Sequence, residues 1–381
     1  MNYQARLTDL QNAMQADKIE LMFLPISADL QYLTGIPRDM PGYGLTLYNG
    51  RWLEGALIGQ SGEPLIVLPR MTAEFHLEGL VGGTARVISD QDDPLLIARD
   101  IVNNFSLSSS PRIAIGNTAF AETIVWLQKL IPTARFTNAG DLLRPLRRIK
   151  SSEEIAVMRE AGAVTEAAFA DVIARLKHGM TEYEIDAEVD LQLRKHGALG
   201  PSFVTAMYNS GPQHHLGLGH ANTLRGAPLL PPVALLFDFG AAYKGYCYDF
   251  GRTVFFGEPD AEALKIFDTI MQAQAAGIQA LRAGQTTCEQ VDRAARLVVE
   301  TAGYGAYFRH RLGHSIGMDV HETPFLAAGD TTPIRDGMAF TIEPSILVPG
   351  GFAARIEDII IAREHGGEPL TKGFQTLTVI G

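Results

Sequence analysis

Cysteine is scarce in this chain: Cys247 and Cys288 are the only two among 381 residues. Two thiols far apart in sequence form neither a disulfide framework nor the close spacing of a zinc knuckle or redox motif. The fold must therefore rest on a hydrophobic core, and a reducing, cytoplasmic setting is expected. Long apolar runs are missing too. The most apolar stretch, Ala227–Phe237, is broken by Pro228, Pro231 and Pro232 and is shorter than the roughly 20 residues a spanning helix needs. Residues Met1–Ile19 carry Arg6, Asp9, Asp17 and Lys18 among their apolar positions, which is not the pattern of a secretory leader. Basic charge is also short, with 32 Lys and Arg against 43 Asp and Glu and a net charge of −11. No basic footprint exists for a phosphate backbone or an anionic surface, so neither nucleic acid nor membrane is an expected partner. What the chain does have is ordinary globular composition, 46% hydrophobic and 20% charged, which excludes general disorder. At about 150 residues per domain its length fits two to three domains.

Residues 1–148 read as a small α/β domain. Leu7, Leu10 and Met14 recur at helical spacing. Short apolar runs follow at Ile19–Leu24, Leu45–Tyr48, Ala56–Ile58, Pro64–Leu68 and Ile113–Ile115, punctuated by Asn49-Gly50, Ser61-Gly62 and Gly82-Gly83. A basic cluster, Arg144, Arg147, Arg148 and Lys150, then leads to Ser151-Ser152-Glu153-Glu154. There Ser151 and Glu154 have the spacing of a capping box. In residues 149–381, helices are predicted at about 152–176, 181–195, 259–282 and 286–301, the second capped by Thr181 and Glu184. Strands are predicted at about 203–208, 232–239, 246–256, 338–343 and 352–361. The natural reading is an α+β domain with a largely antiparallel sheet.

Chemistry concentrates in four segments of that second domain. Asp238 and Asp249 each interrupt an apolar strand pattern, where a carboxylate is costly unless compensated. A two-residue turn at Lys244-Gly245 pairs positions whose numbers sum to 489, which sets Asp249 opposite Gly240 and puts Asp238 on the same face. The alternative for either aspartate is a turn cap or a pair with Arg252. Six of the ten histidines fall between His214 and His321, and the segment from His310 through His314 to His321 is the densest. Glu343 and Glu357 repeat the anomaly of an acid within an apolar strand. Four carboxylates and an imidazole make a hard, oxygen-rich donor set. Two divalent cations would neutralise it, manganese suiting it best and cobalt, zinc or iron also compatible. A paired-metal site of this kind suits hydrolysis.

These residues resemble, in order and context, the ligand set of the prolidase, aminopeptidase P, creatinase and methionine aminopeptidase family: Asp238, Asp249, His314, Glu343 and Glu357. His321 in Val320-His321-Glu322-Thr323-Pro324 and His220 resemble the family's two further histidines. Leu146–Ile155 resembles its approach to the catalytic domain, and Tyr32-Leu33-Thr34-Gly35 the amino-terminal domain of the prolidase and creatinase branch. The resemblance implies a pita-bread catalytic domain, an antiparallel sheet covered by helices, behind a smaller creatinase-type α/β domain. It further implies cleavage of N-terminal Xaa-Pro peptides, as a dipeptidase or in the manner of aminopeptidase P. In that chemistry a hydroxide bridging the two ions attacks the scissile carbonyl. Glu343 serves as both ligand and proton shuttle, and His220 and His321 stabilise substrate and oxyanion. His310 and Arg355 are candidates for binding the substrate, with Arg355 alternatively serving as a partner of Glu357. A small peptide or amide substrate and a homodimer complete the expectation.

The resemblance is imperfect upstream. Ser210-Gly211-Pro212 is followed by Gln213-His214-His215-Leu216-Gly217-Leu218-Gly219-His220, so His214 or His215 could share the role of His220. Arg335 is a poorer candidate than Arg355 for a substrate carboxylate. Gly313-His314-Ser315-Ile316-Gly317 also matches G-x-S-x-G, but residues 318–324 lack the helix that a nucleophile elbow requires. A metal-dependent enzyme acting on a small non-peptide metabolite and a non-enzymatic binding module remain alternatives.

Overall fold

The computed structural model describes residues 1–38, 40, 47–76, 83–214, 216 and 226–381. Of the expected features, Leu45 and Thr46 of one strand, Gly82 of one turn, and His215 and His220 lie outside the described residues. The described chain forms two compact units, Met1–Arg147 and Arg148–Gly381.

The first unit is built on six strands, β1 (Leu21–Pro25), β2 (Gly55–Gly59), β3 (Leu65–Pro69), β4 (Thr84–Ile88), β5 (Arg112–Ile115) and β6 (Arg135–Asn138). Around them lie α1 (Tyr3–Ala16), α2 (Ala28–Thr34), α3 (Arg70–His76), α4 (Pro94–Val102), α5 (Ala121–Leu130) and α6 (Gly140–Arg148). The sheet order is β4-β3-β2-β1-β5-β6, mixed in direction. Apolar runs mark β1, β2, β3 and β5, which are largely buried. The edge strands β4 and β6 carry no such run because most of their residues face solvent or its margin, and the sequence gives no sign of them.

The second unit opens with α7 (Ser152–Ile173) and α8 (Glu182–Lys195), each started by its expected capping box. Then come β7 (Gly200–Pro201), β8 (Ala206–Ser210), β9 (Val233–Phe239), β10 (Ala241–Tyr243), β11 (Tyr246–Cys247) and β12 (Phe250–Phe256). Two further helices, α9 (Ala261–Ala280) and α10 (Cys288–Thr301), precede β13 (Gly313–Ser315), β14 (Glu322–Leu326), β15 (Ala339–Ile342) and β16 (Ser345–Leu347). The unit ends with β17 (Ala353–Arg355), β18 (Asp358–Arg363), β19 (Gly366–Pro369) and β20 (Thr378–Ile380). Its larger sheets have the orders β20-β12-β9-β8 and β14-β13-β15-β18-β19. All their pairings are antiparallel except β12 with β20.

Helices cover these sheets through buried apolar faces. Phe169 of α7 packs its ring 5.3 Å from Phe237 and from Phe250 and 5.9 Å from Phe239. On α9 and α10, Ile270, Val291 and Ala295 join Leu312, Phe340, Ile342 and Ile356 in one core. Each large side chain buried this way contributes about 1.5–3 kcal/mol. Among the described residues no helix is long and apolar enough to cross a membrane.

The β9 to β12 hairpin has the expected register. Ala242 pairs with Cys247, Phe239 with Phe250 and Asp238 with Gly251. Lys244 and Gly245 both take positive φ, 47° and 84°, as a tight two-residue hairpin turn requires. Near Asp249 the strands approach so closely that a Cβ on Gly240 would lie 1.8 Å from the Tyr248 carbonyl oxygen. The strands predicted as continuous at 246–256 and 352–361 are each broken. The breaks fall at Tyr248-Asp249 and Ile356-Glu357, leaving both acids outside the ladders. Glu343 follows directly on the last residue of β15. An isolated antiparallel bridge, Gly251 to Glu357, joins the start of β12 to the second interruption.

Candidate metal centre

Five acids and bases from five places in the chain converge in the second unit. Asp249, 3% exposed, occupies the interruption before β12, and Glu357, 1% exposed, the one before β18. His314 is the middle residue of β13, with its amide donating to Thr341 Oγ1 at 3.0 Å. Oxygen or nitrogen atoms of Asp249, His314 and Glu357 all lie within 4.8 Å of one another. Glu343 joins them, its Oε1 3.5 Å from His314 Nε2, the same distance that separates Nε2 from Asp249 Oδ2. Asp238, on β9, faces the cluster from the strand paired with β12 and is bound by the guanidinium of Arg355.

The imidazole of His314 is oriented for ligation. Nδ1 lies 3.1 Å from the Ser315 carbonyl, which can only accept, so the proton sits on Nδ1 and the lone pair of Nε2 is directed into the space that the carboxylate oxygens share. Glu343 is fixed at both ends: its amide donates to the Leu312 carbonyl at 2.9 Å and Thr341 Oγ1 donates to its Oε1 at 3.3 Å.

Burial and mutual repulsion dominate the electrostatics of the cluster. Burial and the neighbouring Asp238 push the Asp249 carboxyl far above the ordinary carboxylate range. Burial, Asp249 and Glu343 do the same to Glu357. Burial raises Glu343 to about 7 even though Arg355 and His314 oppose the shift. His314 is held below its usual value by burial, and His321 by burial and the adjoining His314. Asp249 Oδ1 and Glu357 Oε2 are buried with no hydrogen-bond partner among the described residues. Buried, crowded, unpaired carboxylate oxygens beside an imidazole lone pair are the donor set that a hard or borderline divalent cation satisfies, and the residues fit such an ion. Arg355 contributes a positive charge that a carboxylate count alone omits. With it the set carries −3, midway between what one divalent ion and two would neutralise, so charge balance by itself does not fix their number.

The remaining expected residues fall into place around this cluster or away from it. His321 stands beside His314, ring centroids 4.2 Å apart and edge to face. His310 packs on Phe308 and places Nδ1 2.7 Å from the Arg311 carbonyl, leaving Nε2 buried and unpartnered among the described residues. Burial and Arg355 lower it to about 4. Arg355 points inward rather than toward an open surface. Besides Asp238, it donates from Nε to Ser345 Oγ at 2.8 Å and holds Nη2 3.9 Å from Glu343 Oε2, so its anionic partners here are Asp238 and Glu343 rather than Glu357. Arg252 pairs with neither Asp238 nor Asp249 but with Asp358. His214 is buried with Nε2 3.0 Å from the Leu230 carbonyl, where it ties two backbone segments together. Arg335 is exposed. Ser315 lies within β13 and is fully buried, so it cannot meet a substrate as a nucleophile.

Sequence reasoning missed what holds His321 in place. Lys150 Nζ lies 3.1 Å from Glu322 Oε2, both side chains nearly sealed from solvent. Glu322 Oε1 accepts from the Asp319 amide, and the Cys247 amide donates to the Gly317 carbonyl at 2.8 Å. The turn leading to His321 is thus bound to residues distant in sequence, and a lysine beside a serine-rich helix start gave no local sign of it.

Comparison with known proteins agrees with this geometry. Residues 156–364 match the profile of metallopeptidase family M24. An Xaa-Pro dipeptidase of Lactobacillus helveticus is 31% identical over 379 residues, covering 98% of both chains. Among solved structures, a prolidase of Thermococcus sibiricus superposes with a TM-score of 0.88 at 27% identity over 100% of both chains. A dipeptidase of Pyrococcus horikoshii gives 0.85 at 29% identity, covering 98% of this chain and 100% of the other.

Proposed function

The chain belongs to metallopeptidase family M24 and is a hydrolase of the pita-bread fold, and on that premise we propose that it cleaves the bond between an N-terminal residue and proline, with Xaa-Pro dipeptides as its substrates. The observation that carries this reading is the junction of Asp249, His314 and Glu357, with two orphaned carboxylate oxygens, inside a chain similar end to end to an Xaa-Pro dipeptidase. In this reading Asp238, Asp249, His314, Glu343 and Glu357 hold two divalent ions, manganese being the best suited to so oxygen-rich a set. Such ions, when bound, polarise a carbonyl and acidify water.

The chain's own groups do the rest. Glu343, anchored through its amide and through Thr341, takes a proton from the attacking water and returns it to the proline nitrogen as the bond breaks. His321, standing next to His314, donates to the oxyanion that develops on the scissile carbonyl, with His220 as its counterpart. His310 offers its unpartnered Nε2 to the substrate. Arg355 is assigned to the carboxylate cluster, where it holds Asp238 and Glu343, and not to a substrate carboxylate. We further propose that the protein works as a cytoplasmic homodimer.

The test is a panel of Xaa-Pro dipeptides, longer Xaa-Pro peptides and non-proline dipeptides, each assayed with manganese and after chelation. Hydrolysis confined to Xaa-Pro dipeptides and lost on chelation supports the reading. Turnover of longer Xaa-Pro peptides in preference would reassign the chain to the aminopeptidase P type, and no hydrolysis of any proline peptide would overturn the substrate.

A further inference from the structure

Behind the carboxylate cluster lies a second polar network centred on three buried side chains, with Gln375 Nε2 a more distant fourth member 3.5 Å from Asp358 Oδ2. Arg252, in β12, is 3% exposed, Asp358, the first residue of β18, is 2% exposed, and Gln274, on α9, is 2% exposed. The guanidinium of Arg252 donates from Nη1 to the carbonyls of Gly251 and Glu357, both at 2.8 Å. From Nη2 it donates to Asp358 Oδ1 at 2.7 Å and to the Gly373 carbonyl at 2.8 Å. The other oxygen of Asp358, Oδ2, accepts from Gln274 Nε2 at 2.9 Å, and the same nitrogen reaches the Ile342 carbonyl at 3.3 Å.

The backbone atoms this network grips are those next to the acids. Gly251 lies two residues after Asp249, the Glu357 carbonyl belongs to the acid itself, and Ile342 directly precedes Glu343. None of these acids is held by a regular ladder, because Asp249 and Glu357 fill strand interruptions and Glu343 lies just past a strand end. Beside them, Gly251 bridges Glu357 and Ile342 pairs with Asp358 at the end of the β15–β18 ladder, which brings the strand ends carrying the acids together. Across these strand ends one guanidinium donates from its two terminal nitrogens to three carbonyls and to one oxygen of Asp358, and so ties them into a rigid unit.

We infer that Arg252, Asp358 and Gln274 are positioning residues that set the spacing of Asp249, Glu343 and Glu357 for metal binding. This rests on the reading of those acids as metal ligands. The network touches neither substrate nor the space between the carboxylates, and it acts through backbone. Its loss enlarges the metal dissociation constant by 10–100-fold, the size of effect typical when groups that orient metal ligands are removed.

The experiment is titration of chelator-stripped full-length protein with Mn2+ by calorimetry, joined to the visible spectrum of the Co2+-loaded protein. Gln274→Met removes one arm without altering charge, Arg252→Lys keeps charge but cannot reach four acceptors, and Asp358→Asn keeps shape. Folding is checked by circular dichroism and by the thermal midpoint in chelator. The expected result is a folded Gln274→Met protein that binds Mn2+ 10-fold or more weakly, shows an altered Co2+ spectrum, and regains turnover at high metal. Asp358→Asn keeps one acceptor oxygen for Arg252 but sets an NH2 where Gln274 donates, so it should weaken Mn2+ binding about as much as Gln274→Met. Wild-type Mn2+ affinity and Co2+ spectrum in folded Gln274→Met, or loss of thermal stability alone in all three variants, would overturn the inference. Failure of the wild-type protein itself to bind Mn2+ would instead overturn the ligand assignment.

Discussion

His321 meets the ring of His314 edge to face, with centroids 4.2 Å apart, so the histidine outside the donor cluster touches the one within it. His321 offers no atom to the group formed by Asp249, His314 and Glu357. His321→Ala is therefore expected to leave Mn2+ affinity within about threefold of wild type while lowering kcat by roughly 10²–10³, the loss typical of a missing oxyanion donor. Calorimetry and steady-state kinetics on one preparation separate the two effects. Full activity in the variant would remove His321 from the chemistry.

Removing charge from the cluster should have opposite consequences with and without metal. Asp249 Oδ1 and Glu357 Oε2 are buried without partners among the described residues. Asp249→Asn and Glu357→Gln should raise the thermal stability of chelated protein, by about 1–3 kcal/mol for relief of an uncompensated buried group. The same variants should lose metal binding and turnover. Thermal melts in chelator and in excess Mn2+ test both signs, and a fall in stability under chelation would show that the acids find partners within the protein.

Lys150 and Glu322 form a nearly sealed ion pair under the turn that carries His321. Lys150→Met leaves Glu322 with its charge uncompensated and should cost about 3–5 kcal/mol. Lys150→Met combined with Glu322→Gln should recover much of that loss. Denaturant titrations of the two single variants and the double variant measure the coupling, and additive losses would mean the pair is not energetically linked.

Burial and the nearby Arg355 lower His310 to about 4, against an ordinary histidine value of 6.5. Between those values the unfolded chain binds a proton that the folded one refuses, so stability rises with pH across this window and is lost as pH falls. The full contribution is about 3 kcal/mol at one pKa unit per 1.36 kcal/mol. His310→Gln should flatten the dependence of unfolding free energy on pH between about 4 and 6.5. Denaturation at pH 5 and 7 checks it, and an unchanged slope would place the titration elsewhere.

Much of this was readable locally because local physics decided it. Capping boxes at Ser151 and Thr181 placed two helix starts, and the Lys244-Gly245 turn fixed the register that brings Asp238 and Asp249 to one region. The four acids stood out because each interrupts an apolar pattern, whereas His314 was singled out among six clustered histidines only by the family resemblance. The strand interruptions at Tyr248-Asp249 and Ile356-Glu357 were not readable. Apolar periodicity runs straight through both, and the contact made there, a bridge between Gly251 and Glu357, joins residues more than a hundred positions apart. Arg252 misled for the same reason, since its aspartate partner is 106 residues away and not the one three residues before it. Arg355 likewise pairs across 117 residues with Asp238, not with the glutamate two positions on.

Gly240 packs so tightly against the Tyr248 carbonyl that a single added carbon would collide with the backbone of the facing strand. This close passage acts as a fixed gauge between the turn and the two aspartates. Beyond it, the Lys244-Gly245 tip can gain or lose residues in pairs without disturbing Asp238 and Asp249. Within it, a one-residue insertion or deletion moves one aspartate to the opposite face of the sheet. The hairpin therefore divides at Gly240 into an arm whose length the site tolerates changing in pairs and a stem whose length it does not.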